Sequence, residues 1–216
     1  MAGMDEKLRI TSLTAFYFGA HVAADPTSPE AITSISKRAY RDLSRTLHGI
    51  GTHPDKTTLL ENTHDSLREF VADLEKVTTR EEFDALHDAW CEDRINFFAE
   101  HPHLGRKNFA FTYGQAQKWI NMALKYLAVL DHPAVTRVYP YLHVPIDSIV
   151  YEEAEHPTVG IGVPRPPGRA LWSRLNREQY QDYQQRLRDG IAGSDNTLAP
   201  LGWEAQAWTA RASGKE

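Results

Sequence analysis

Two lysines seven residues apart and one aspartate set among apolar residues are the side chains of this 216-residue chain with the most specific chemistry. The segment Tyr113-Gly114-Gln115-Ala116-Gln117-Lys118-Trp119-Ile120-Asn121-Met122-Ala123-Leu124-Lys125-Tyr126 puts Gln115, Lys118, Met122 and Lys125 on one face of a helix. Downstream, Leu142-His143-Val144-Pro145-Ile146-Asp147-Ser148-Ile149-Val150 carries a single acid at an expected helix start. Amines and an isolated carboxylate are the groups of nucleophilic and charge-stabilising catalysis. Each also has a plainer reading. Lysines snorkel into solvent from the back of an amphipathic helix, and aspartate is a favoured N-cap beside the positive end of the helix dipole.

The elements that must position these groups are mainly helical. Ile32, Ile35, Ala39, Leu43 and Leu47 cover one face of a helix from about residue 30 to 47, which Gly49 and Gly51 end. A second amphipathic stretch runs from about residue 57 to 77. Thr79 with Glu82 forms a capping box that opens a third helix to about residue 100, and Thr112 with Gln115 opens a fourth to about residue 130. That fourth helix, with Ala116, Trp119, Ile120, Ala123 and Leu127 as its apolar stripe, spans about 28 Å. A short helix from Asp147 to about 154, one capped by Asn176 to about 189, and a last from Pro200 to Ala212 follow. Residues 156–170, rich in Pro and Gly, read as an ordered irregular loop. Only Leu13 to Val22 looks strand-like, and a buried helix fits it almost as well. The expected fold is mainly α, with two helical lobes at 1–111 and 112–216 forming one domain.

With 41% hydrophobic and 25% charged residues the composition is that of an ordinary globular chain. No apolar run reaches the length of a membrane span, and the single Cys91 excludes an internal disulfide framework, so a cytoplasmic location is expected. The net charge of −5 disfavours a polyanionic partner. The deficit lies wholly in the first half, however: residues 1–111 hold 13 basic and 18 acidic side chains, and 112–216 hold 11 of each. Residues 156–177 contain Arg165, Arg169, Arg174 and Arg177 and no acid.

Together the two segments resemble the helix-hairpin-helix DNA glycosylase superfamily, specifically its archaeal-type 8-oxoguanine glycosylases. Lys118, Ala123 and Lys125 match a K-x-x-x-x-A-x-K helix, and Pro145, Ile146 and Asp147 match the following turn. The Gln-Ala-Gln-Lys helix and His-x-Pro-Ile-Asp turn are also similar to antiviral glycosylases that remove glucosylated cytosines from phage genomes. The resemblance covers residues 112 to 150 and implies a two-lobed helical fold with its active site between the lobes. It implies Lys118 as amine nucleophile and Asp147 as catalytic acid, acting on a base flipped out of DNA. Lys125 then serves as the cation that lowers the Lys118 pKa, or as a phosphate contact. Trp172 and Trp203, with Trp119 and Tyr113, are candidate pocket walls, or else core. Gln115, Asn121 and His143 are candidates to read hydroxyls of a bulky modified base. Arg165, Arg169 and Arg174 are the candidate phosphate contacts, or a solvated loop.

The family's Gly-containing hairpin does not precede Lys118. Leu47-His48-Gly49-Ile50-Gly51 has that look but lies about 70 residues upstream and reads as a helix-ending turn. The ten histidines show no His-Glu-x-x-His spacing, so neither metal nor cofactor is expected. A non-catalytic helical interaction protein is the competing class. Its feature is the acid-rich run of Glu81, Glu82, Asp84, Asp88, Glu92 and Asp93 within 13 residues.

Overall fold

The computed structural model describes residues 4–102, 110–157, 160–194 and 197–213. Ten α-helices account for most of them, and no described residue lies in a strand. In chain order these are α1 (Glu6–Phe18), α2 (Ala20–Ala24), α3 (Pro29–Leu43), α4 (Lys56–Asp73), α5 (Arg80–Ala99), α6 (Tyr113–Val129), α7 (Pro133–Arg137), α8 (Ser148–Glu155), α9 (Arg177–Gly193) and α10 (Pro200–Ala212).

The capping residues set the starts as the sequence predicts. Thr79, Thr112 and Asn176 each accept from the backbone N–H three residues on, and Glu82, Gln115 and Gln179 reciprocate. Such pairs satisfy two N–H groups that a helix end would otherwise leave open. α10 matches its predicted bounds, whereas α9 runs on to Gly193. Leu13 to Val22 is helical instead of extended. Asp5 caps α1 by accepting from Leu8 N, and a lone strand in a helical fold would have left its backbone unpaired. The helical alternative is met, but burial is confined to Val22 on α2, because α1 contains no buried residue.

At the centre lies α6, which packs most extensively on α3 and also meets α5, α7, α9 and the 3-10 turn Trp172–Arg174. Thirteen of its seventeen residues are buried. Trp119, fully enclosed, has Tyr40, His64 and Phe111 around its ring and donates from Nε1 to Ser36 Oγ at 3.1 Å. The acidic run on α5 is not a uniformly solvated face. Asp84 takes a two-nitrogen grip from Arg188, and Asp88 takes one from Arg177, so that α5 is tied to α9. No helix among the described residues is long and apolar enough to cross a membrane.

Candidate active site

The start of α6 is docked against the turn at residues 172–174. Thr112 Oγ1 donates to Ser173 O at 2.6 Å, and Gly114 N donates to Leu175 O at 3.0 Å. A side chain at position 114 would lie 2.0 Å from Trp172 O, so only glycine admits this approach. The contact brings Trp172 beside α6, with its ring centre 6.0 Å from Lys118 Nζ.

The second component, residues 142–147, is an irregular segment whose residues 142–146 are buried. Buried backbone groups need partners, and two glutamines supply them from opposite sides. On α9, Gln184 accepts from Val144 N at 3.2 Å and donates to Val144 O at 2.6 Å. On α6, Gln117 accepts from Ile146 N at 3.3 Å and donates to Ile146 O at 3.2 Å. The segment is thus laced as a strand would be, by side-chain amides.

Lacing sets Asp147 above Lys118. Lys118 Nζ donates to Asp147 Oδ2 at 2.8 Å and to Pro145 O at 3.1 Å. Asp147 Oδ1 accepts from Val150 N at 2.9 Å and caps α8. The carboxylate thus meets its N-cap reading with one oxygen, and its other oxygen is held by the Lys118 amine. The snorkelling reading fails for Lys118, whose side chain is 5% exposed, while Asp147 keeps 20% and leaves the pair open on the carboxylate side.

One turn-pair along α6, Lys125 is occupied by a carboxylate absent from the sequence reading. Its Nζ donates to Glu204 Oε1 at 2.8 Å and lies 5.7 Å from the Trp208 ring centre. Glu204, on α10, is almost wholly enclosed, and burial pushes its carboxyl pKa up against the opposing pull of Lys125 and Lys118.

Asn121 and His143 belong to an internal network. Tyr180 OH accepts from Asn121 Nδ2 at 2.9 Å and Gln184 Nε2 at 3.3 Å, so its proton goes to His143 Nδ1 at 2.7 Å. His143 must then be neutral and donates from Nε2 to Asp84 Oδ1 at 2.7 Å. Burial lowers its pKa, consistent with that tautomer, and Arg188 and His143 hold Asp84 well below the usual carboxylate range despite burial. Asn121 Oδ1 accepts from His87 Nε2 at 3.0 Å. A polar cavity of about 190 Å³ borders this network.

Comparison with protein-family models, characterised proteins and solved structures finds no match to this chain. The functional reading therefore rests on this geometry together with the motif resemblance of residues 112–150.

That geometry unites Lys118, Asp147 and Trp172, while Lys125, two turns along α6, is held separately by Glu204. Gln115 is committed elsewhere, donating from Nε2 to Thr46 O at 2.8 Å and accepting from Thr112 N at 3.0 Å. Both its amide groups are occupied by structural bonds, as are those of Asn121. Trp203 is buried on α10 next to Glu204. Tyr113 and Trp119 are core, Tyr113 donating to Asp88 Oδ1 at 2.8 Å. The arginine strip is not a row of free cations: Arg165 pairs with Glu155 at 3.3 Å and Arg177 with Asp88. Arg174 is exposed with no ion pair among the described residues, and the side chain of Arg169 lies outside them. Among the described residues no group of three or more His, Cys, Asp or Glu side chains is placed to hold a metal.

Sequence reasoning missed Gln117, Gln184 and Glu204. One signal was present: residues 113–129 contain two lysines and no acid, too few charges for a solvated face. Polar residues around such a helix must find partners inside.

Proposed function

We propose that this chain is a DNA glycosylase that excises a modified base, with Lys118 and Asp147 as its reacting groups. The supporting observation is the 2.8 Å contact between an enclosed amine and a carboxylate 29 residues away, held together by dedicated main-chain lacing. Proton transfer along that contact leaves a neutral amine. As the C1′–N bond of the nucleotide breaks, the base leaves with the electron pair and takes up the proton held by Asp147, the amine forms the new C1′–N bond, and transfer of an amine proton to the sugar ring oxygen opens the ring to the Schiff base that borohydride reduces. Asp147, when it remains charged, stabilises the positive sugar for attack by water instead. The two-lobed arrangement, with halves 1–111 and 112–216 around the site, belongs to the same proposal. So does a bulky glucosylated cytosine as target in antiviral defence, with 8-oxoguanine as the alternative base.

Incubating the protein with DNA carrying glucosylated cytosine, 5-hydroxymethylcytosine or 8-oxoguanine, followed by alkali and mass spectrometry, tests the reading. The expected outcome is a released base and an abasic site with one of these substrates. Asp147→Asn keeps the helix cap, since Asn caps as well as Asp, and should lower release at least ~100-fold. Borohydride should trap the wild-type chain on DNA but not Lys118→Ala. Release that is indifferent to Asp147→Asn, or trapping that survives Lys118→Ala, overturns these assignments.

A second reading is favoured by the depth of the pair: Lys118 and Asp147 act as a strut that fixes α8 on α6 in a non-catalytic interaction protein. Under it, Lys118→Met lowers the melting temperature and no tested DNA loses a base.

A further inference from the structure

Among the described residues α1 is the one long helix without a buried residue, and its side chains are not those of a solvated helix. Ile10 is 56% exposed, Leu13 55%, Phe16 86% and Tyr17 65%, and Val129 at the end of α6 is 69% exposed. Ile10, Leu13, Thr14 and Tyr17 fall at i, i+3, i+4 and i+7, the spacing of a helix-docking seam. They line one wall of an apolar groove of about 570 Å³ whose other wall is Tyr126 and Val129 on α6 with Leu130 just beyond its end. α1 packs chiefly on its neighbour α2 and only lightly on α3. A 13-residue helix so weakly held is marginal in water by itself.

We propose that this face is a homodimer interface, in which α1 of each copy lies along the groove of the other about a two-fold axis. Three observations favour a second copy as occupant. Ridge and groove are adjacent on the same face, so a two-fold operation brings each against its counterpart. In an antiparallel pairing centred between Leu13 and Thr14, Ile10 opposes Tyr17 of the second copy. The charges on α1 and its cap, Asp5, Glu6, Lys7 and Arg9, sum to zero, so the helix itself brings no net charge into the groove of a second copy, where Asp131 lies at the edge. Finally, the exposed apolar parts of Ile10, Leu13, Tyr17 and Val129 amount to roughly 400 Å², about half of the ~800 Å² per partner of a stable interface, the remainder falling to the groove floor they border. Lys125 also borders the groove, so pairing would cover the outer side of the Lys125–Glu204 bridge.

The test is light scattering and sedimentation of the full chain over a range of concentrations, independent of any DNA chemistry. Wild type should show twice the chain mass of 24.5 kDa. The exposed-site double variant Leu13→Asp, Tyr17→Asp should run at the single mass with an unchanged circular dichroism spectrum. Since Cys91 is fully buried, Thr14→Cys provides one reactive thiol near the axis and should oxidise to a cross-linked dimer. A monomer at every concentration overturns the proposal, as does a dimer that survives the double variant and gives no cross-link. A wild-type monomer that floats with anionic phospholipid vesicles also overturns it, in favour of a membrane surface as occupant.

Discussion

α1 and α6 invert the usual relation between composition and burial. α1 carries large apolar side chains and buries none, whereas α6 buries Gln115, Gln117, Lys118 and Asn121 almost as completely as its tryptophan. Polar groups on α6 can be enclosed because each meets a partner of opposite hydrogen-bonding sense. Apolar groups on α1 remain exposed because the rest of the described chain offers them too little surface. What decides burial here is the presence of a complement, and polarity alone does not.

The largest test of that contrast removes a complement from α6. Gln117→Leu keeps the volume but leaves Ile146 N–H and C=O buried without partners, and Asn121 loses one acceptor. At about 1–3 kcal/mol per stranded group, the loss should be on the order of 4 kcal/mol in urea unfolding. A loss below about 1 kcal/mol would show that the lacing is dispensable.

A somewhat smaller effect is expected from acid. Ser36 Oγ accepts from Trp119 Nε1 and lies 2.8 Å from Nδ1 of the His64 ring. Burial pushes its pKa down to about 4 from 6.5, helped by Lys37 and Arg68 and opposed by Asp65. Above about pH 6.5 neither folded nor unfolded chain protonates the ring. Between about 6.5 and 4 the unfolded chain takes up a proton that the folded one refuses, so stability falls by up to about 3 kcal/mol and then levels off. His87 and His143 are shifted the same way. Asp84 and Asp88, both lowered, add a loss only below about pH 3.8, and Glu204, raised, works in the opposite sense. Subtracting the pH profile of His64→Gln from that of wild type isolates the His64 share, and parallel profiles would refute it.

Smallest is the effect of crowding the start of α6. Gly114→Ala ordinarily gains helix propensity of up to about 1 kcal/mol. Here the added methyl meets Trp172 O, and the turn at 172–174 must retreat. A net loss of about 2 kcal/mol is expected, with a shift in tryptophan emission as Trp172 moves off Lys118. A stabilised protein would mean that the turn yields freely.

Much of the fold was legible because helix starts are local: the side chains of Thr79, Thr112, Asn176 and Asp147 each cap within three residues of themselves. The apolar run at 13–22 was ambiguous because neither its period nor its composition says whether a partner surface exists. In the candidate site, Lys118 and Asp147 were legible through the order and spacing of their segments, and the structure brings them into contact. Gln117 and Gln184 were not, since a glutamine that replaces a neighbouring strand has no spacing signature. Glu204 was hidden likewise, its partner lying 79 residues away on another helix.

The two ion pairs of α6, about 10 Å apart along its axis, have a mechanical corollary. One rivets the head of α8 through Asp147, the other rivets α10 through Glu204, and α8 and α10 are themselves in contact, joined by Arg211 to Glu152. Three helices thus close a ring in which neither outer member can swing without breaking a charge contact on the central one. Anything that draws the Lys118 amine away from Asp147 loosens one rivet and turns the other into a pivot.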